Sequence, residues 1–149
     1  MATTTGTEHY FGDLVTDLIY LEYDAIAAYD STIERLSDAE LAARVAEFRQ
    51  DHLYHLEKLR DIAASINADI PEGGDMKQML TTGKIALADL MGDGAILKAM
   101  RTNEEDTVTA YDRARQHGDA VPASREFFEK ALADEKRHRA WFEAAAERT

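Results

Sequence analysis

Leu41-Ala-Ala-Arg-Val45-Ala-Glu-Phe48-Arg-Gln-Asp-His52-Leu-Tyr-His55-Leu-Glu-Lys-Leu59-Arg-Asp-Ile62-Ala-Ala-Ser-Ile66 decides the fold. Leu41, Val45, Phe48, His52, His55, Leu59, Ile62 and Ile66 follow one another in alternating steps of four and three, which places them on one face of an α-helix. Two histidines therefore occupy positions expected to face a core. Just upstream, Ser37-Asp-Ala-Glu40 reads as a capping box that stops one helix and starts the next after a very short turn. A short turn makes the two helices antiparallel neighbours. The helix before it, from about Phe11 to Leu36, presents Leu14, Leu18, Glu22, Ala25, Tyr29 and Ile33 as its inward stripe.

Beyond the second helix, expected to end near Ala68, Pro71-Glu-Gly-Gly-Asp75 breaks the pattern. A short helical stretch to about Leu90 and the interruption Gly92-Asp-Gly94 complete what reads as a long crossover connection. A third long helix, from Ala95 to about Gln116, turns Leu97, Glu104, Val108 and Tyr111 inward, and Gly118 and Pro122 bracket the next turn. A fourth carries Phe128, Ala131, Glu135, His138, Phe142 and Ala145 on one face. Four helices of more than twenty residues, each roughly 30 Å long at 1.5 Å per residue, predict an all-α antiparallel four-helix bundle. Its long crossover, containing a short helix, joins helices 2 and 3. At 149 residues and 45% hydrophobic composition, one domain spanning 1–149 with a flexible tail over 1–8 is expected.

A formal charge of -12 repels phosphate backbones and anionic lipid, so neither nucleic acid nor a membrane is an expected partner. No run of eighteen apolar residues occurs, and the opening residues lack the basic and apolar regions of a secretory signal, which gives a cytoplasmic expectation. With no cysteine, thiolate metal sites and iron–sulfur centres are excluded.

The two halves repeat one another. Glu22 precedes Tyr29 by seven residues, as Glu104 precedes Tyr111; Tyr29 precedes His55 by 26 and Tyr111 precedes His138 by 27. The repeat unit is a helical hairpin with polar residues at matched heights. A buried carboxylate without a cation costs several kcal/mol, and no lysine or arginine occupies these stripes. Glu22, His52, His55, Glu104, Glu135 and His138 are therefore the candidate metal ligands. Their oxygen and imidazole donors suit iron, manganese or zinc. Glu104 is preferred to its neighbour Glu105 because of its spacing to Tyr111. Tyr23, Ile26 or Tyr54 on outward faces offer a homodimer patch.

These residues resemble the ferritin-like superfamily, near the rubrerythrin-type di-iron carboxylate proteins and their small relatives. Glu22-Tyr-Asp-Ala25-Ile-Ala-Ala-Tyr29 is similar to the family's first-helix pattern, Glu104-Glu-Asp-Thr107-Val-Thr-Ala-Tyr111 repeats its spacing, and Asp134-Glu135-Lys-Arg-His138 matches its Asp-Glu-x-Arg-His motif. The resemblance runs from about Leu14 to Ala145. It implies two iron ions, with Glu22, Glu104 and the histidines terminal and Glu135 bridging, and with Asp134 orienting a ligating histidine from outside; outside the resemblance, Asp51 and Asp134 either take such an outer role or simply face solvent. Tyr29 and Tyr111 would be further outer partners or simply packed aromatics. It also implies oxidoreductase chemistry of ferroxidase or peroxidase-like type in oxidative stress, with oxygen or hydrogen peroxide as oxidant and an external electron donor.

The departure is Asp51-His52-Leu-Tyr-His55, which puts histidine where the family has a bridging glutamate. Three arrangements follow: His52 is terminal to one ion while Glu135 bridges alone, Asp51 reaches in, or one ion binds tightly. Outside this resemblance, a non-catalytic metal-binding stress or structural protein, holding zinc or a single ion, and a metal-free bundle with hydrogen-bonded His and Glu are the alternatives.

Overall fold

A computed structural model describes residues 3–74 and 91–149 of the chain. Among them are four helices and no strand: α1 Phe11–Arg35, α2 Ala39–Ser65, α3 Asp93–Ala114 and α4 Pro122–Arg148. The short crossover helix expected before Leu90 lies outside the described residues. None of the described helices is long and apolar enough to cross a membrane.

The turn between α1 and α2 differs from the sequence expectation. Asp38, not Ser37, caps α2: its Oδ1 accepts from the backbone N–H of Glu40 at 2.8 Å and of Leu41 at 3.2 Å. Ser37 is engaged elsewhere, donating through its N–H and its hydroxyl to the Asp93 carboxylate, each at 2.9 Å. A carboxylate is the stronger acceptor for the exposed amides of a first turn, so the cap moves one residue along. Asp93, in the first turn of α3, thereby ties this turn to the other hairpin; the backbone bond from Ser37 leads the effects that lower its pKa. The helix α2 closes at Ser65 rather than near Ala68. Asn67 adopts a left-handed φ of 56°, and Ala68 N–H returns to the Ala63 carbonyl at 2.9 Å. Gly92, with φ of 87°, precedes α3, and Pro122 occupies the first turn of α4.

The core has two apolar ends. Leu14, Val15, Leu18, Ile19, Leu59, Ala63, Ala110, Phe128 and Ala131 pack at one end; Ala28, Val45, Phe48, Ile96, Leu97, Met100, Phe142 and Ala145 pack at the other. Between them lies a buried layer of glutamates and histidines. The inward stripes of α3 and α4 are buried as expected. On α1 the buried face is wider and rotated, with Val15, Ile19, Ala28 and Thr32 buried and Ala25 and Ile33 at its margins; on α2 Leu41 and Ile62 sit at the margins, Ala63 is buried and Ile66 is exposed. On α2 a 3.6-residue repeat drifts across the strict four–three stripe over seven turns, which moves the ends of that stripe off the contact line.

The stretch expected as a frayed tail makes specific contacts with α3 from residue 3 onward. Thr3 N–H donates to Asp106 Oδ1 at 3.2 Å, and Arg113 Nη1 donates to the carbonyls of Thr3 at 2.9 Å and Thr5 at 3.2 Å. Gly6 takes φ of 102°, and a Cβ there would collide with the Arg113 side chain. Gly6→Ala is expected to lift this segment at a cost of about 1–3 kcal/mol, read as a lower melting temperature and faster amide exchange over residues 3–8. Unchanged exchange would contradict the docking. On the outer faces, Tyr23 accepts from Arg60 at 2.9 Å, and the Tyr54 ring lies beneath the ammonium groups of Lys58 and Lys130.

Candidate metal centre

Each helix sends its contribution into the central layer at the height where the two apolar ends meet. Glu22 comes from α1, His52 and His55 from α2, Glu104 from α3, and Glu135 and His138 from α4. All six are at most 1% exposed. Their ligand atoms form two groups, Glu22, His52, His55 and Glu135 on one side and His52, Glu104, Glu135 and His138 on the other, each with its atoms within 4.8 Å of one another. His52 and Glu135 belong to both. The neighbour Glu105 stays at the surface, beside Arg101 and Arg139.

Local helix geometry explains the pairs, since a three-residue step keeps His52 with His55 and Glu135 with His138 on one face. Tertiary contacts orient them. Asp134 Oδ2 lies 2.8 Å from His55 Nε2, and Asp51 Oδ2 lies 2.8 Å from His138 Nε2, so each aspartate steadies a histidine of the opposite hairpin. The Nδ1 atoms of both rings therefore face the interior. Arg137 joins the two carboxylates from outside, donating to Asp51 at 2.9 Å and to Asp134 at 3.2 Å. The tyrosines exchange partners in the same way: Tyr111 donates to Glu22 Oε1 at 2.7 Å and Tyr29 donates to Glu104 Oε1. Asp51 is thus engaged outside the layer and does not reach in.

Two residues in the surroundings escaped the sequence reading. Thr107 Oγ1 lies 3.0 Å from Glu104 Oε2 and 3.1 Å from Glu135 Oε2, within hydrogen-bond reach of both. The signal was present, since the position three after glutamate is Ala25 in the first hairpin and Thr107 in the second. Phe48 stacks on the His138 ring at 4.4 Å between centroids, a contact between hairpins that spacing along one helix does not reveal.

The electrostatics describe a site holding protons in place of cations. Burial and the facing Glu135 push the Glu104 carboxyl up to about 7. Burial also opposes a charge on His55, but the Asp134 carboxylate bonded to Nε2 and the Glu135 and Glu22 carboxylates facing Nδ1 outweigh it and raise the ring to about 11. His52 is raised well above its ordinary value, against burial, by Glu135 and Glu22. Glu22 and Glu135 are correspondingly lowered, burial being overcome chiefly by His52. Even so, His52 Nε2, His55 Nδ1 and Glu135 Oε1 are buried with no hydrogen-bond partner. Such orphaned atoms are rare in folded proteins, and here all three face the same interior. An imidazole nitrogen and a carboxylate oxygen have lone pairs in common, and a cation satisfies both. The two groups could hold metal ions.

A cavity of about 40 Å³ between α1 and α3 borders this layer at Tyr29, Glu104 and Thr107 and is lined further out by Asp24, Asn103 and Asp106. It has room for water. Asp134→Asn or Asp51→Asn is expected to weaken metal retention about 10–100-fold, because the histidine behind each loses its orienting acceptor. Competition with a chromophoric chelator measures it, and unchanged affinity in both variants would sever these aspartates from the centre.

Residues 13–117 match the family described as Domain of unknown function (DUF2383), a span that includes Glu22, His52, His55 and Glu104 and stops before Glu135. The fold is similar to the crystal structure of a conserved hypothetical protein, rv2844, from Mycobacterium tuberculosis, at 15% identity and a TM-score of 0.75, covering 89% of this chain and 87% of that one. At that identity the likeness concerns the fold alone. No curated protein matches the sequence. The ferritin-like resemblance thus rests on the ligand pattern, whereas the bundle is supported by the structural likeness.

Proposed function

The chain belongs to the family described as Domain of unknown function (DUF2383), and we propose from its buried centre that it binds a pair of non-haem metal ions, iron first among them, and oxidises ferrous iron or reduces peroxide there. The observation that carries this reading is the doubled, hairpin-related group of glutamate and histidine atoms with three orphaned atoms facing one interior. Glu22 and His55 would hold one ion and Glu104 and His138 the other, with His52 and Glu135 belonging to both groups. Iron so held supplies one-electron chemistry with oxygen or peroxide, and carboxylate donors favour its ferric state. The residues around it do the rest. Asp51 and Asp134 fix the histidine tautomers, Tyr29, Tyr111 and Thr107 steady the carboxylates, and the two apolar ends exclude bulk water. The cavity beside Glu104 offers a small molecule an approach from the α1–α3 face.

The closed character of the layer favours a second reading, a bundle locked by zinc or a single ion without turnover, because structural metal sites are closed whereas catalytic ones keep an open position. An anaerobic ferrous titration of metal-free protein, followed by admission of oxygen with absorbance read in the near ultraviolet, separates the two. Two ions per chain and a rapid ferric band support the redox centre. Tight binding without that band supports the lock, and no binding removes both. A homodimer in the cytoplasm, with an external electron donor, completes the proposal; a sedimentation mass of one chain would remove the dimer.

A further inference from the structure

Two dications bring four positive charges into a layer where Glu22, Glu104 and Glu135 supply three negative ones. Among the described residues, no fourth carboxylate joins either ligand group. The shortfall falls where burial makes uncompensated charge expensive. His52 occupies the middle of that layer. Its Nδ1 is 2.8 Å from Glu22 Oε2 and 3.5 Å from Glu135 Oε1, while Nε2, on the other edge of the ring, is 3.5 Å from Glu104 Oε1. Each nitrogen faces a different ligand group, and Nε2 has no hydrogen-bond partner. The ring is also held in place, with the Tyr29 ring 4.5 Å away and the His138 and His55 rings at 5.3 Å and 5.8 Å. A histidine serving one ion would show one nitrogen to it and hand the other to an acceptor outside, as His55 and His138 do. His52 has no such outer acceptor.

We propose that His52 joins the two ions as a bridging imidazolate, with Nδ1 on the ion held by Glu22 and His55 and Nε2 on the ion held by Glu104 and His138. The inference rests on the metal-centre reading. As the second ion binds, the remaining ring N–H bond breaks, its electron pair stays on nitrogen and forms the bond to the metal, and the proton leaves to solvent. No electron changes hands. The bridge then carries one negative charge, which brings the ligand set to four against the four positive charges of the pair. Because the two nitrogens diverge across the ring, the ions stand farther apart than the about 3.5–4 Å usual for two-metal sites. Glu135, whose Oε1 and Oε2 also face different groups, is the rival bridge.

Cupric ion is the probe. Metal-free protein at neutral pH is loaded, freed of excess copper, and examined for copper per chain, for electron paramagnetic resonance, and for metal–metal scattering in X-ray absorption. The expected result is two cupric ions per chain, a magnetically coupled spectrum and no metal–metal vector near about 3.5–4 Å. His52→Ala should retain one ion or two uncoupled ones, and His52→Glu should bind two with the vector contracted into that range. A coupled pair that survives His52→Ala, or a contracted pair in the natural chain, assigns the bridge to Glu135 and overturns the proposal. One ion in the natural chain overturns the bridge while leaving a metal site; no ion removes the metal-centre reading itself. If His52→Ala loses its helical circular dichroism, the natural chain and His52→Glu still decide between the two bridges.

Discussion

Glu135→Ala is expected to empty the centre of both ions and, in metal-free protein, to cost about 3–5 kcal/mol of stability. Glu135 is the one carboxylate whose two oxygens serve both ligand groups, Oε1 beside His55 Nδ1 at 3.2 Å and Oε2 beside His138 Nδ1 at 3.4 Å. Removing it leaves each group short of an anionic donor and takes from His52, His55 and His138 a counter-charge they share. Metal analysis after chelator competition and thermal unfolding of the metal-free form measure the two effects. Full metal stoichiometry in Glu135→Ala would remove the central assignment. Glu135→Gln, which keeps shape and loses charge, separates the electrostatic part from the cavity left by truncation.

The second large effect is a metal-dependent reversal of stability with pH. In the metal-free protein, the folded His55 ring is raised from 6.5 to about 11. Its stabilisation is fully present below 6.5 and is lost as pH climbs toward 11. The folded Glu104 carboxyl is raised from 4.5 to about 7, so its contribution is greatest below 4.5 and is lost as pH rises through 7. Both losses have one sign. Glu22 and Glu135 act oppositely: their lowered carboxyls contribute above 4.5, and that contribution is lost as pH falls below it. Metal-free protein should therefore be most stable in mild acid, and ionising Glu104 alone should remove roughly 3 kcal/mol as pH rises from 4.5 to about 7. Bound metal inverts this, since its ligands bind deprotonated and its hold tightens as pH rises. At a metal concentration about a thousand times Kd the gain is about 4 kcal/mol, some 2–4 °C of melting temperature per kcal/mol for a chain of this size. Melting curves across pH with and without chelator test it. Curves that superimpose at every pH would mean that the layer holds no metal.

Much of this was legible in the linear chain because helical periodicity is a local property. Alternation of four and three steps placed His52 and His55 on the buried face of α2, and the spacing to Tyr111 chose Glu104 over Glu105; the structure buries the one and leaves the other at the surface. The matched intervals between tyrosine and histidine foretold hairpins that meet at one height. Reading failed where the answer depended on a second helix. The sequence alone makes Ser37 the cap of α2, but Asp93, from α3, holds it away from that role. Periodicity alone runs the stripe of α1 through Ala25 and Ile33, but the neighbours it meets bury Ala28 and Thr32.

What the sequence determined by itself was therefore the inventory and the facing: four helices, six ligand candidates on their inner surfaces, and a charge deficit created by histidine at position 52. The tertiary structure decided which atom of each residue points where. Asp51 meets His138 and Asp134 meets His55 only because the hairpins pack across one another, and that crossing turns both Nδ1 atoms inward. His52 reaches two groups at once because its ring sits in the middle of the layer, Nδ1 toward Glu22 and Nε2 toward Glu104. Periodicity fixes a side chain's face within one helix, but the direction of a ring nitrogen is set by hydrogen bonds at about 3 Å to residues far away in sequence.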